Sequence, residues 1–229
     1  MAASVATRLP EERPGRPLFL DDRFEQIGVV PMPIWKRGID VTGAAAGLLL
    51  LSPLFALIAI LIVLDSRGGP FFRQTRVGHG GRTFTCWKFR SMRQGADLMR
   101  SDLLALNEAN GRIFKIRDDP RRTRMGRMLR KSSLDELPQL INVLRGDMSL
   151  VGPRPPLVSE VLEYEADELR RLATVPGITG LWQVTLRGRH DFEDMIALDV
   201  RYAAELSFWL DVKILAKTIP TVLFGRGAC

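Results

Sequence analysis

Cysteine and histidine are scarce in this chain: its 229 residues contain two of each, Cys86, Cys229, His79 and His190. Two distant cysteines make neither a disulfide framework nor paired zinc-binding thiolates, and two histidines cannot build a His-rich metal site. Such thiol usage fits a reducing compartment. Any metal is therefore expected to be a hard cation held by carboxylate and phosphate oxygens. The first residues lack the basic-then-apolar order of a signal peptide, so secretion is not expected. Internal repeats are absent. Acidic residues are in deficit, 26 against 33 Lys and Arg, leaving a net charge of +7. That balance favours polyanionic partners, whether nucleic acid, anionic lipid or phosphorylated substrates, without choosing among them.

What the chain does have is a long apolar run. Residues 1–30 mix Pro, Arg, Glu and Asp without a period and read as a loosely ordered arm. Residues 41–64 carry no charge between Asp40 and Asp65, a run longer than the roughly 20 apolar residues that cross a bilayer. Two features oppose a simple span. Ser52-Pro53 sits mid-run, where proline removes a helix hydrogen bond and bends the axis. Both flanks are basic, Lys36 and Arg37 before and Arg67, Arg73 and Arg76 after, whereas positive residues prefer the cytoplasmic side. A helix that breaks at Ser52-Pro53 and returns keeps both flanks inside. The serine hydroxyl can help satisfy a carbonyl that the break frees. On these residues a simple span and a re-entrant helix hairpin over residues 31–66 both stay open.

Residues 67–229 are expected to form a small, mainly helical α+β domain. Residues 70–74 and the alternating 83–90 read as short strands around a glycine-rich turn. Residues 96–109 read as a polar helix. Residues 112–131 carry nine Lys and Arg against two Asp, as much net charge as the whole chain. Ser133-Leu134-Asp135-Glu136 matches a capping box, followed by one apolar face from Leu134, Leu137, Ile141 and Leu144 and a stop at Gly146. Gly152-Pro153-Arg154-Pro155-Pro156 reads as a rigid loop, residues 158–173 as one charged helix, and residues 176–180 as a turn. Phe208, Trp209, Leu210, Ile214 and Leu215 alternate with Lys213 and Lys217, a pattern that suits an interfacial amphipathic helix or core packing equally.

Asp135 and Glu136 are the candidate chemical groups. Adjacent carboxylates in a first helical turn can simply complement the helix dipole. Here a dense basic segment precedes them and Arg154 follows, fixed between two prolines. A carboxylate in such a positive field stays ionised, and an ionised Asp is a competent nucleophile toward phosphorus. Arginine forks and a magnesium ion would screen its repulsion from an anionic phosphate. Lys88 and Arg90 lie two apart in the second strand, so they are predicted to share a face that could bind a diphosphate.

The strings FFRQTRVGHGGRTFTCWKFRSM, RRTRMGRMLRKSSLDELPQLINVLRGDMSLVGPRP, VPGITGLWQV and LDVRY…SFWLDVKIL, with Ser52-Pro53, closely resemble the bacterial sugar transferase family from about Lys36 to about Thr218. These are the monotopic phosphoglycosyl transferases, which include undecaprenyl-phosphate galactose and glucose phosphotransferases. The resemblance implies the minimal catalytic form, with Asp135 as the nucleophile that attacks the β-phosphate of a UDP-sugar and expels UMP. Polyprenyl phosphate then resolves the aspartyl phosphosugar. Glu136 assists through proton transfer or magnesium placement, and Asp135 and Glu136 are the implied Mg2+ ligands. Lys88, Arg130 and Arg154 match positions around the phosphates, and Ser52-Pro53 matches the helix break, which implies the re-entrant hairpin over residues 31–66. Gln183 matches a motif near the nucleotide. The partners implied are a UDP-sugar, polyprenyl phosphate and anionic membrane lipids, with homodimerisation left open and no nucleic acid. The place implied is the cytoplasmic face of a bacterial inner membrane. The rivals are a membrane-tethered nucleic-acid binder, for which no recognisable module is present, and a non-catalytic scaffold, against which the intact Asp-Glu pair argues.

Overall fold

The computed structural model describes residues 27–96, 118–186 and 191–223, with isolated positions at 99, 103, 106, 107 and 116. The readings for residues 1–26, for most of 96–109, for Arg112, Lys115 and Arg117, and for His190 and Cys229 lie outside the described residues. The chain is α+β, mostly helical with a few short strands.

The uncharged run folds as α1 (Ile34–Leu50) and α2 (Ser52–Asp65), bent by 62° at Leu51. Pro53 has no N–H to give to Leu49 O, four residues back. Ser52 Oγ supplies the missing donor, 2.8 Å from that carbonyl. Neither helix alone is long and apolar enough to cross a membrane, whereas the pair together is. Both are built into the core. Ala44 packs with Leu140, Val143 and Met148, and Ile58 and Ile62 pack with Phe89 and Leu129. Each such fully buried side chain contributes about 1.5–3 kcal/mol. Small residues allow α1 to come close: a Cβ on Gly43 would strike Leu150, and one on Gly47 would crowd Leu140.

A hairpin follows, β1 (Phe71–Val77) antiparallel to β2 (Thr83–Phe89), with Gln74 opposite Cys86 and Arg76 opposite Phe84. Directly opposed residues share a face. One face therefore carries Gln74, Arg76, Cys86 and Lys88; the other carries Phe71 stacked on Phe89, and Arg73 over Trp87. Next come α3 (Arg124–Ser132), a single 3-10 turn at Leu134–Glu136, and α4 (Gln139–Arg145), closed by left-handed Gly146. The continuous helix expected from Leu134 to Leu144 is thus divided. Pro138 ends the 3-10 turn and begins α4, because it donates no hydrogen bond back into the preceding turn.

β3 (Ser149–Val151) pairs in parallel with β4 (Gly177–Thr179), so residues 177–179 are a strand rather than the expected turn. Gly152 and Gly177 approach so closely that a Cβ on either would collide with the other's backbone nitrogen. The helix expected over residues 158–173 is instead α5 (Val158–Leu162), α6 (Ala166–Leu169) and a 3-10 stretch at Arg170–Ala173. Tyr164 turns into the core, and the chain restarts when Glu168 accepts the Glu165 N–H at 2.7 Å. The chain ends with α7 (Leu181–Thr185), α8 (Phe192–Ala204) and α9 (Phe208–Leu223). On α9 the core-packing reading holds for one face, where Asp211 and Ile214 are buried, while Phe208, Trp209, Val212 and Ile219 are exposed.

Candidate active site

The centre of the site is the 3-10 turn. It is set by Ser133, the only non-glycine residue at positive φ among the described residues, at 57°. A left-handed residue costs about 1–2 kcal/mol outside glycine and marks a backbone held by its surroundings. Here Leu134 and Leu137 hold the turn by packing against the cluster that includes Ile58 and Ile62 of α2. Asp135 and Glu136, between those leucines, are consequently presented to the hairpin.

The capping box does not form, since Ser133 makes no side-chain cap. Glu136 is engaged elsewhere: its Oε1 accepts from Lys88 Nζ at 2.6 Å and from Arg154 Nη1 at 3.1 Å. Glu136 is desolvated, which opposes ionisation, but Lys88 and Arg154 outweigh burial and hold its carboxyl well below the usual carboxylate range. Asp135 is buried, at 8% exposure, and among the described residues its carboxylate has no hydrogen-bond or ion-pair partner. Burial, and then the adjacent Glu136 anion, push its pKa up; Lys88, Arg130 and Arg154 only partly offset this. The expected positive field therefore ionises Glu136 most strongly and leaves Asp135 with the greater proton affinity of the two.

Three predicted cations meet here. Lys88 comes from β2 and Arg154 from the loop after β3. Arg130, in the last turn of α3, is fixed by an Nε hydrogen bond to Ser91 Oγ at 3.0 Å and interacts electrostatically with Asp135. Arg90 does not join them. The strand ends at Phe89, and the Arg90 guanidinium donates to the carbonyls of Ser66, Arg67 and Gly69 at 2.6–2.8 Å. It closes the end of α2 and does not share the Lys88 face. Gln183 is also apart from the carboxylates: its Nε2 donates to Ile178 O at 3.3 Å, and its Oε1 is buried without a partner. Of the basic segment, Arg121 is spent on Asp119 at 2.7 Å, whereas Arg124, Arg127 and Lys131 are exposed on α3.

Sequence reading missed the groups behind the Arg154 loop. Arg171 donates to Arg154 O at 3.1 Å and pairs with buried Asp199 at 2.5 Å. Lys36, read as a membrane flank, is buried, with its Nζ 2.9 Å from Val151 O and 2.5 Å from Asp211. Partners 115 and 175 residues away leave no local signal. Arg76 was detectable, because it alternates with Gln74 on the face that carries Lys88.

No group of three or more His, Cys, Asp or Glu suited to a metal exists among the described residues. Two carboxylates still fit a magnesium ion, which takes one or two from protein and the remaining ligands from phosphates and water. Asp135, unpartnered among the described residues, supplies one such open acceptor.

The chain is 50% identical over 199 residues to galactosyl transferase CpsE of Streptococcus agalactiae, spanning 85% of this chain and 43% of CpsE. It is 41% identical over 197 residues to exopolysaccharide production protein ExoY of Rhizobium meliloti, spanning 84% of this chain and 87% of ExoY. It is 43% identical over 200 residues to undecaprenyl-phosphate galactose phosphotransferase of Salmonella typhimurium, spanning 84% of this chain and 41% of that enzyme. The chain thus spans less than half of two of these relatives and most of the third. The sequence profile of the bacterial sugar transferases matches residues 32–225, which contain every group of the site, and the chain belongs to that family.

Proposed function

We propose that this protein transfers a sugar 1-phosphate from a UDP-sugar to a polyprenyl phosphate through a covalent intermediate on Asp135. One observation carries the reading: Asp135 is a buried carboxylate with no hydrogen-bond or ion-pair partner among the described residues, held among Lys88, Arg130 and Arg154. A structural carboxylate in such a place would be hydrogen-bonded; one left open can attack. The name of the Salmonella relative supports a lipid-phosphate acceptor.

The two steps balance. An Asp135 oxygen bonds to the β-phosphorus, the bond from that phosphorus to the bridging oxygen breaks, and UMP leaves with the bridging oxygen and its electron pair. A phosphate oxygen of the polyprenyl phosphate then bonds to the same phosphorus, and the Asp135 oxygen leaves as a regenerated carboxylate. Splitting the transfer lets the soluble product depart before the lipid enters. Glu136 acts as a fixed anion. With Lys88 and Arg154 both on one oxygen its proton affinity is low, and a group so far from neutrality is a poor proton acceptor. Asp135 and Glu136 would hold Mg2+ together with substrate phosphates. When bound, the ion supplies charge neutralisation at the transferred phosphoryl group.

The bent α1–α2 pair would enter one leaflet and return. Its exposed Leu49, Leu50, Ile60 and Leu64, with Phe208 and Trp209 of α9, give the apolar surface that such seating requires. Exposed Arg124, Arg127 and Lys131 on α3, which packs on α2, would meet anionic headgroups. The site would then sit on the cytoplasmic face, where UDP-sugars are made.

The test is direct. Purified protein in lipid nanodiscs, given undecaprenyl phosphate and Mg2+, should release UMP from one member of a UDP-sugar panel. Asp135→Asn should lose both turnover and the trapped phosphosugar adduct. Turnover close to wild type in that variant would sink the covalent scheme.

A further inference from the structure

We propose that Arg76, together with Lys88 and Arg154, forms a phosphate-binding subsite beside the Asp-Glu turn. The proposal rests on the phosphoryl-transfer reading above and assigns one anion-binding position within it.

A small cavity opens next to Glu136, and its walls include Arg76, Cys86, Lys88, Gln139, Arg154 and Ile178. Three of these are cations. The one carboxylate paired with them is Glu136, which both Lys88 and Arg154 already contact. Arg76 is half-buried and has no carboxylate within ion-pair distance among the described residues. Its hydrogen-bond partners among the described residues are neutral acceptors. Nε and Nη2 donate to Gln74 Oε1 at 3.1 and 2.7 Å, and Nη1 donates to Pro155 O at 2.9 Å. A guanidinium has five N–H groups, so two remain undirected.

A partly buried cation beside other cations is costly without a counter-charge. Desolvation and the nearby Arg154 both act against the charge on Arg76, and Cys86, Glu160 and Glu136 offset them only in part; an incoming anion would relieve the remainder. Structural support of the loop accounts for the bond to Pro155 O alone, and a neutral donor would serve there. Phosphate suits this wall in charge and in donor type, since an arginine fork and a lysine match its oxygens; the cavity has room for about one water, so the anion would sit at its mouth. The phosphate has two candidate sources. One is the nucleotide half of the donor, retained in UMP; the other is the headgroup of the polyprenyl phosphate.

The experiment measures equilibrium binding of UMP and of inorganic phosphate to the full chain in nanodiscs, and the KM for undecaprenyl phosphate, in wild type, Arg76→Gln and Arg76→Lys. A lost hydrogen-bonded charge is worth about 1.5–3 kcal/mol, so Arg76→Gln should weaken UMP on the order of 10- to 100-fold. Arg76→Lys should fall between the two and stands in if the Gln variant does not fold. A rise confined to the KM for undecaprenyl phosphate would assign the same subsite to the acceptor. Unchanged affinity for UMP and for acceptor, whatever happens to turnover or melting temperature, would overturn the proposal and leave Arg76 as a loop support. Should wild type release no UMP from any UDP-sugar yet bind phosphate in an Arg76-dependent way, the transfer reading would fail and the subsite would stand.

Discussion

Asp135 and Glu136 are neighbours in the chain with opposite proton affinities. Burial and the Glu136 anion raise the pKa of Asp135, while Lys88 and Arg154 overcome burial to depress that of Glu136. A nucleophile must be ionised, so activity should be lost as pH falls through the raised Asp135 pKa, above the ordinary carboxylate range. The direction of change in variants follows from charge. Glu136→Gln removes the adjacent anion and should move the acid limb of kcat/KM to lower pH in the residual activity. Lys88→Met removes a cation and should move it to higher pH. A pH profile of adduct formation reads both, and shifts of the same sign would mean that another group sets the limb. Sequence alone pointed to this pair through its setting and placed both carboxylates in one positive field, whereas the structure gives the direct cation contacts to Glu136. Adjacent acids cannot be ranked until it is known which of them faces the cations.

At the scale of elements, the loop that presents Arg154 is held by cations at both ends. Lys36 on α1 binds Val151 O, and Arg171 binds Arg154 O. Lys36 also joins Asp211 on α9 and Tyr202 on α8, whose hydroxyl donates to Asp211 Oδ1 at 2.7 Å. One buried ammonium thus ties the bent helix pair, the last helix and the Arg154 loop together. Removing one partner of a buried pair costs about 3–5 kcal/mol, whereas replacing both with apolar groups is often neutral. Lys36→Met should therefore destabilise by about that amount, and Lys36→Met with Asp211→Leu should recover much of it. Thermal unfolding in nanodiscs measures both. A loss for the single variant below about 1 kcal/mol would show the pair to be marginal.

At the scale of the whole molecule, the break at Ser52-Pro53 would decide topology in the proposed membrane seating. A hairpin keeps the arm before α1 and the end of the chain on one side. Cys229, and a cysteine placed by Asp22→Cys in a Cys229→Ser background, should both resist a membrane-impermeant thiol reagent in intact cells and react after permeabilisation. Replacing Ser52 with Ala and Pro53 with Leu removes both the missing donor and its substitute. It should straighten the pair and expose the Asp22→Cys site from outside. Labelling of that site in the otherwise unaltered hairpin would refute the re-entrant reading while leaving the chemistry of Asp135 intact.

The apolar run, its central Ser-Pro, the strand pair and the Asp-Glu turn were all legible in the sequence, because each depends on local rules: hydrophobic length, the missing proline N–H, alternation, and motif order. Family resemblance placed Lys88, Arg130 and Arg154 around the phosphates, and the structure brings all three to the Asp-Glu turn. Only the tertiary structure decided what long-range partners do. It turned Arg90 onto the carbonyls at the end of α2, buried Lys36 against Asp211, made a strand of residues 177–179 by pairing them with residues 149–151, and left Arg76 on a cavity wall with no ion-pair contact among the described residues. A cation's role is set by which carbonyl or carboxylate the fold brings within about 3 Å of it, and no spacing along the chain encodes that distance.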